Sequence, residues 1–346
     1  KAAAQGLYRH LDGGLRRGAD LYVDGDVPDG AGLSSSVALV VASALALLAA
    51  NEIELPLATL AELLPRAEQY VGTLSGGMDQ TVSLLAQAGH ALRIDFRPLR
   101  YRPVPLPADH VFAVAHSLVH ADKAGGARQA YNLRVAECRI ATHALCRFYD
   151  LPAAAEIATI GDAVRELEGI SPEAIVTHVA AAIPSGTLSL QDIGRVLEVR
   201  PEHLRSELDL PADVGDRFVI VERLRHVLTE AARVDAAEDA LRCGNIDTFA
   251  AAMRASHRSC RDDYEISCPA LEELVACAER SGAAAARLTG AGFGGCIVAL
   301  LRKVDVASFV NGLDAEFYGP RGIAPTALPR LRFALEAAAG ASVTSL

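Results

Sequence analysis

Residues 37–50 form the longest apolar run in this 346-residue sequence, and it ends at Asn51 and Glu52, well short of the roughly 20 residues a bilayer span requires. No membrane span or membrane partner is expected. The opening residues show no basic segment followed by an apolar core of the kind that leads secretion. The first residue is Lys1 and not Met, so the reading frame is expected to begin upstream. Dense Lys/Arg runs are also missing and the formal charge is −10, which argues against a nucleic-acid partner. Among the seven cysteines there is no CxxC pair, so neither a zinc site nor a disulfide framework is indicated. Free thiols, mostly packed in the core, and a reducing, cytoplasmic compartment are expected. Internal repeats and low-complexity linkers are lacking too. What remains is a globular chain, 51% hydrophobic, long enough for one large or two ordinary domains.

Residues 20–27 alternate apolar and polar side chains through Leu21, Val23 and Val27, a pattern that predicts a short strand. Pro28 ends it. Asp29, Gly30, Ala31 and Gly32 predict a turn, and Ser34, Ser35 and Ser36 offer capping hydroxyls to an Ala- and Leu-rich helix over 37–50. Further helices are predicted over 56–70, from Met78 to Leu85, and over 132–149, the last with Arg134, Glu137 and Arg139 on its polar side. A break falls at 72–77, and strands are expected at 91–96 and 111–115. Several short helices separated by turns fill 151–210, and long helices follow over 217–243, 247–260 and 269–282. Strands at 284–288 and 296–301 flank a glycine cluster, and a helix over 304–312 precedes a last strand at 331–335.

A glycine turn that feeds a helix turns unpaired backbone N–H groups and the positive end of the helix dipole toward an anion, and nearby hydroxyls add donors or Mg²⁺ ligands. PDGAGLSSS, residues 28–36, meets these conditions. It lacks the terminal Gly-Lys-Ser/Thr of a Walker loop. Taken alone, the stretch reads also as a well-capped helix.

The pattern PxGxGLSSS resembles the ATP-binding motif of the GHMP kinase superfamily, and of its galactokinase branch in particular. GTLSGGMDQ at 72–80 resembles the segment holding that branch's catalytic Asp. YNLRVAECR at 131–139 resembles its sugar-proximal helix, and SHRSCRDDYEISCPALEELV at 256–275 and LTGAGFGGCIVAL at 288–300 resemble its C-terminal blocks. The 131–139 and 256–300 blocks are also similar to N-acetylgalactosamine kinase. The resemblance implies an α+β, two-domain GHMP kinase fold with the active site in the cleft between two sandwiches. Its N-terminal domain would cover 1–150, incomplete at its start, and its C-terminal domain 151–346 with a helical insertion at about 151–212.

It implies an ATP-dependent sugar 1-kinase acting on galactose, with ATP and Mg²⁺ as cofactors, and a monomer or weak homodimer. Pro28, Gly30, Ala31, Gly32, Leu33, Ser34, Ser35 and Ser36 would cradle the ATP phosphates, with Gly290 and Gly292 of the third motif nearby. Asp79 would be the catalytic carboxylate that accepts or holds the proton of the sugar's anomeric hydroxyl; its plain alternative is a helix cap. Gly76 and Gly77 would let backbone approach the sugar. Tyr131 would contact it, the alternative being a Tyr packed at a helix start. The glycines at 290–295 read otherwise as a hairpin, and His257, Asp262, Asp263 and Tyr264 as interdomain structure. Mg²⁺ would sit on Ser36 and Glu68.

Two departures from the pattern stand out. Many galactokinases carry the metal-binding Glu twelve residues before the catalytic Asp, where this chain has Ala67; Glu68 stands at the place implied by N-acetylgalactosamine kinase. Nothing like the sugar-binding run GRVNLIGEHTDY precedes Asp20, which leads to the expectation of a chain incomplete at its N-terminus. N-acetylgalactosamine kinase and a non-catalytic galactose- and ATP-sensing regulator are the competing expectations. Another GHMP kinase of an unusual sugar is a third.

Overall fold

A computed structural model describes residues 1–28, 30–68, 76–120, 126–152 and 157–344. The chain divides into two compact units, Lys1–Ala121 with Glu238–Met253 and Cys268–Leu346, and Asp122–Ala237 with Arg254–Ser267.

The first unit opens with helices α1 (Ala2–His10), α2 (Ser35–Ala50), α3 (Leu57–Glu68) and α4 (Met78–Leu85). Val37, Val41, Ala44 and Leu48 recur at spacings of four, three and four, which puts them on one face of α2. That face packs with Ala3 and Leu7 of α1, Leu60, Ala61 and Leu64 of α3, and Leu84 of α4. Complete burial of each Leu there contributes roughly 1.5–3 kcal/mol. Strands β1 (His90–Asp95) and β2 (Arg100–Pro105) form an antiparallel pair, and β3 (His110–His116) follows. β2 went unread in the sequence because Pro103 and Pro105 interrupt it; an edge tolerates the missing donors.

The strand expected at 20–27 is not formed. These residues are irregular and exposed, Tyr22 at 94%. Alternation marks a strand only where a neighbour accepts its ladder hydrogen bonds. No strand among the described residues pairs with this one.

The second unit runs through α5 (Gly126–Phe148), α6 (Ile160–Glu166), α7 (Pro172–Ala182), β4 (Thr187–Ser189), α8 (Leu190–Leu197), α9 (Pro201–Glu207) and β5 (Arg217–Val219) into α10 (Val221–Arg242) and α11 (Ile246–Asp262). The expected short helices are present, and hydroxyls start three of them: Thr159, Ser171 and Ser189 accept from the N–H groups of Asp162, Ala174 and Asp192. The helix expected to start at 217 starts at 221, because Arg217–Val219 pairs with Thr187–Ser189 and Phe218 is fully buried. Arg134 and Glu137, expected on the polar side of α5, are buried as well. Glu137 accepts from Arg134 Nη1 at 2.9 Å, Arg223 Nε at 2.7 Å and the N–H of Val219 at 2.9 Å. This satisfies a charge that would otherwise be costly to bury.

The chain returns to the first unit through residues 238–253, then α12 (Pro269–Arg280), β6 (Ala285–Leu288), β7 (Cys296–Arg302), α13 (Val306–Leu313), α14 (Leu328–Leu331) and β8 (Arg332–Leu335). Its main sheet has the order β6-β7-β3-β8, antiparallel throughout, with His116 opposite Cys296 and His110 opposite Arg302. The seven cysteines are free, as expected, and four of them are buried.

Glu238, 9% exposed, is the anion that ties α10 to the hairpin. It accepts from Arg102 Nε and Nη2, both at 2.7 Å, from Arg242 Nε at 3.0 Å and from Arg93 Nη1 at 3.4 Å. The Arg102 hydrogen bonds, with help from Arg242, pull its pKa down to about 2. A depressed carboxylate stabilises the fold above its unfolded pKa and loses that effect as pH falls toward the folded value. Glu238→Gln should therefore lower the unfolding free energy at pH 7 by about 1 kcal/mol, discounted for the half-exposed Arg102. In urea titrations the difference from wild type should shrink between about pH 4.5 and pH 2.

Candidate active site

The turn after Pro28 is built from alternating backbone: Gly30, Gly32 and Ser34 have φ of +65°, +72° and +59°. Left-handed residues at every second position gather successive N–H groups into a concavity that suits an anion. The N-terminus of α2 follows directly, adding its unpaired donors. Ala31 is buried and packs with Val114 and Cys296, with Leu33 against the same cluster, so the turn is anchored on β3 and β7.

The second glycine cluster meets the first. Gly290 has φ +71°, and a Cβ there would fall 2.6 Å from the carbonyl oxygen of Gly32. One at Gly295 would fall 2.7 Å from that of Ala31. The cluster is a turn between β6 and β7, and its backbone lies against the first turn. Gly292, at φ +78°, lies in the same turn.

Ser34 does not cap α2 with its side chain. Left-handed backbone turns the residue away, and its hydroxyl donates instead to Asp79 Oδ2. Asp79 is half-buried in the first turn of α4, where the helix dipole favours a carboxylate, but the N-cap position belongs to Gly77. Gly77 has φ +95°, and a Cβ there would strike Pro65 at 2.9 Å. Its missing side chain thus serves the α3–α4 contact. Gly76 is exposed, with nothing within 4 Å of a Cβ position. Residues 72–75 of that block, and Asp29 of the first, lie outside the described residues.

Glu68 is buried, at 8% exposure, and accepts a hydrogen bond from Gln80, the neighbour of Asp79. A side chain so placed is not part of a solvated helix face. Ala67, one position earlier, faces α1, where a Cβ on Gly6 would meet its Cβ at 2.7 Å. Ser36 is exposed in the first turn of α2. A carboxylate and a hydroxyl are the hard oxygen donors Mg²⁺ takes. No group of three or more His, Cys, Asp or Glu among the described residues could hold a metal.

Two family models match the chain, the GHMP kinases N-terminal domain over residues 1–87 and the GHMP kinases C-terminal domain over 236–319. Galactokinase of Dictyostelium discoideum is 32% identical over 341 residues, covering 92% of this chain and 68% of that protein. Galactokinase of Roseiflexus sp. (strain RS-1) is 35% identical over 307 residues, covering 88% of this chain and 66% of that protein. The chain belongs to the GHMP kinase family, in its galactokinase branch. It spans about two thirds of the length of these curated relatives. The fold agrees: Lactococcus lactis galactokinase, solved with galactose, superposes with a TM-score of 0.69 at 24% identity, over 99% of this chain and 76% of that one. Homoserine kinase of Cytophaga hutchinsonii superposes at 0.55 with 13% identity, over 98% of this chain and 76% of that one.

In this GHMP kinase Tyr131 belongs to the second unit, on the second turn of α5, which starts at Gly126 and not at 132. Tyr131 is half-buried. Residues 263–265, in the block expected to be interdomain structure, bond within the second unit: Arg134 Nε donates to the Tyr264 carbonyl at 2.7 Å and Arg223 Nη2 to Glu265 at 2.6 Å. Sequence reasoning passed over His116 and His120. The signal was two histidines four residues apart at the end of a predicted strand. His116 is buried; desolvation, then the neighbouring His120 charge, lower its pKa. The N–H of Leu118 donates to its Nδ1 at 2.9 Å.

Substitution separates backbone strain from close approach at these glycines. Gly290→Ala meets both a positive φ and a carbonyl at 2.6 Å, and should cost about 2–4 kcal/mol in denaturant unfolding. Gly89→Ala, at φ +72° with open space around it, should cost only about 1–2 kcal/mol.

Proposed function

We propose that this protein is an ATP-dependent sugar 1-kinase that transfers the γ-phosphoryl group of ATP to the anomeric hydroxyl of galactose. The observation that carries the reading is the Ser34–Asp79 hydrogen bond, which joins the candidate phosphate cradle to the candidate carboxylate in a chain 32–35% identical to two galactokinases. Phosphoryl transfer asks for positioning and charge neutralisation more than for covalent help. In this reading the alternating turn and the α2 N-terminus hold the polyphosphate through residues 28–36, with Gly290 and Gly292 closing the cradle. Asp79 then receives or holds the acceptor proton. Ser34 engages Oδ2, so Oδ1 is the atom we assign to the acceptor hydroxyl. Gly76, Gly77 and Tyr131 are assigned to the sugar.

Mg²⁺, held by Ser36 and Glu68, would neutralise charge on the phosphates during transfer. The place of Glu68, eleven residues before Asp79, supports N-acetylgalactosamine as the second acceptor to test. We further assign the protein to the cytoplasm, in keeping with its free thiols, and read it as a monomer or weak homodimer. Among the described residues no helix is long and apolar enough to cross a membrane.

An ADP-release assay over a hexose panel tests the reading. Turnover on galactose is expected, and Asp79→Asn should lower kcat by about a thousandfold. Sugar binding without turnover on any hexose would leave the sensing role and sink the kinase.

A further inference from the structure

The nucleotide cradle proposed above has an electrostatic gap. Residues 28–36 contain neither Lys nor Arg, and the side chain joined to the turn through Ser34 is the anionic Asp79. Backbone N–H groups and a helix dipole offer only fractional positive charge, and the Mg²⁺ proposed above would offset only part of the negative charge that a triphosphate brings. A side-chain donor from outside the motif is called for.

His120 stands in that position. Its Nδ1 lies 3.2 Å from where a Cβ on Gly30 would be, so the imidazole covers the first left-handed residue of the turn. Burial does not hold it there, since the side chain is exposed. The preceding backbone does. Ser117 N–H donates to the Gly295 carbonyl at 2.8 Å, and Gly295 N–H donates to the Val119 carbonyl at 2.7 Å, so the segment between β3 and His120 is laced onto the second glycine turn. Gly294 permits the approach, because a Cβ there would fall 2.7 Å from the Val119 oxygen. Between these bonds Leu118 takes φ +66°, a left-handed conformation that a branched side chain disfavours. The hydrogen bond from its N–H to His116 Nδ1 offsets the strain. A reversed, strained turn thus ends on the phosphate loop, with the His120 ring 5.7 Å from that of His116. Among the described residues no carboxylate holds the His120 ring.

We infer that His120 is a phosphate-contacting residue of the nucleotide site, donating an imidazole N–H to a phosphate oxygen across Gly30. This rests on the reading of residues 28–36 as an ATP cradle. A histidine that merely packs on Gly30 would affect every ligand alike, whereas a phosphate donor distinguishes ligands by their phosphates.

Calorimetric titration of the purified protein with ATP and with adenosine makes that distinction. His120→Ala should weaken ATP binding by roughly tenfold, as expected for one charge-assisted hydrogen bond, and leave adenosine within about twofold of wild type. His120→Lys, which supplies a donor from the same position, should recover most of the ATP affinity, and its thermal unfolding reports on folding independently. Equal losses for ATP and adenosine, or an unchanged ATP affinity in His120→Ala, would overturn the inference while leaving the kinase reading in place. Wild-type protein that binds no ATP would overturn both.

Discussion

Two glycine-rich backbones in direct contact are the constraint on which the candidate site depends. Gly32 and Ala31 present carbonyl oxygens to the Cα positions of Gly290 and Gly295 at distances no side chain can share. A contact of that kind supplies little attraction of its own, so its geometry has to be imposed from below. The antiparallel pairing of β3 with β7 does this, with Ala31, Val114 and Cys296 buried between turn and sheet. Segments more than 250 residues apart in sequence therefore form one rigid surface, and the left-handed residues that shape the anion cradle are held by the core of the first unit.

Local chemistry in the sequence was legible where it repeats in the structure. The apolar spacing of α2, the glycine turn before it, the short helices of 160–207 and the strands around 290–295 follow from periodicity and turn residues alone. Features that depend on a distant partner were not. Residues 20–27 have the alternation of a strand without a paired neighbour, and 217–219 reads as the start of a helix until β4 pairs with it. A serine ahead of a helix is expected to cap it, yet Ser34 bonds to a carboxylate 45 positions on. His120 illustrates the same limit: spacing put it at a strand end, and only the β3–β7 register brings it to Gly30.

Polar clusters that look chemical in the sequence divide into two kinds. The Arg134, Glu137 and Arg223 group is fully enclosed and reciprocally hydrogen-bonded, with the 263–265 backbone as further acceptor. Such a network contributes little net stability relative to apolar packing, but it penalises any arrangement that leaves one member unpaired. It ties α5, the start of α10 and the segment after α11 into one arrangement. The Ser34–Asp79 pair differs in kind: it is half-buried, at a helix start, and borders the turn on which a ligand would sit.

Ala67 and Glu68 are neighbours in sequence with different environments. Successive residues on a helix point about 100° apart, and here Ala67 faces α1 while Glu68 faces Gln80 beside Asp79. A carboxylate at 67 would sit on the wrong side of α3 to face Gln80. Two neighbouring positions of one helix therefore serve different ends, Ala67 the close packing of α3 on α1 and Glu68 a polar contact with the start of α4.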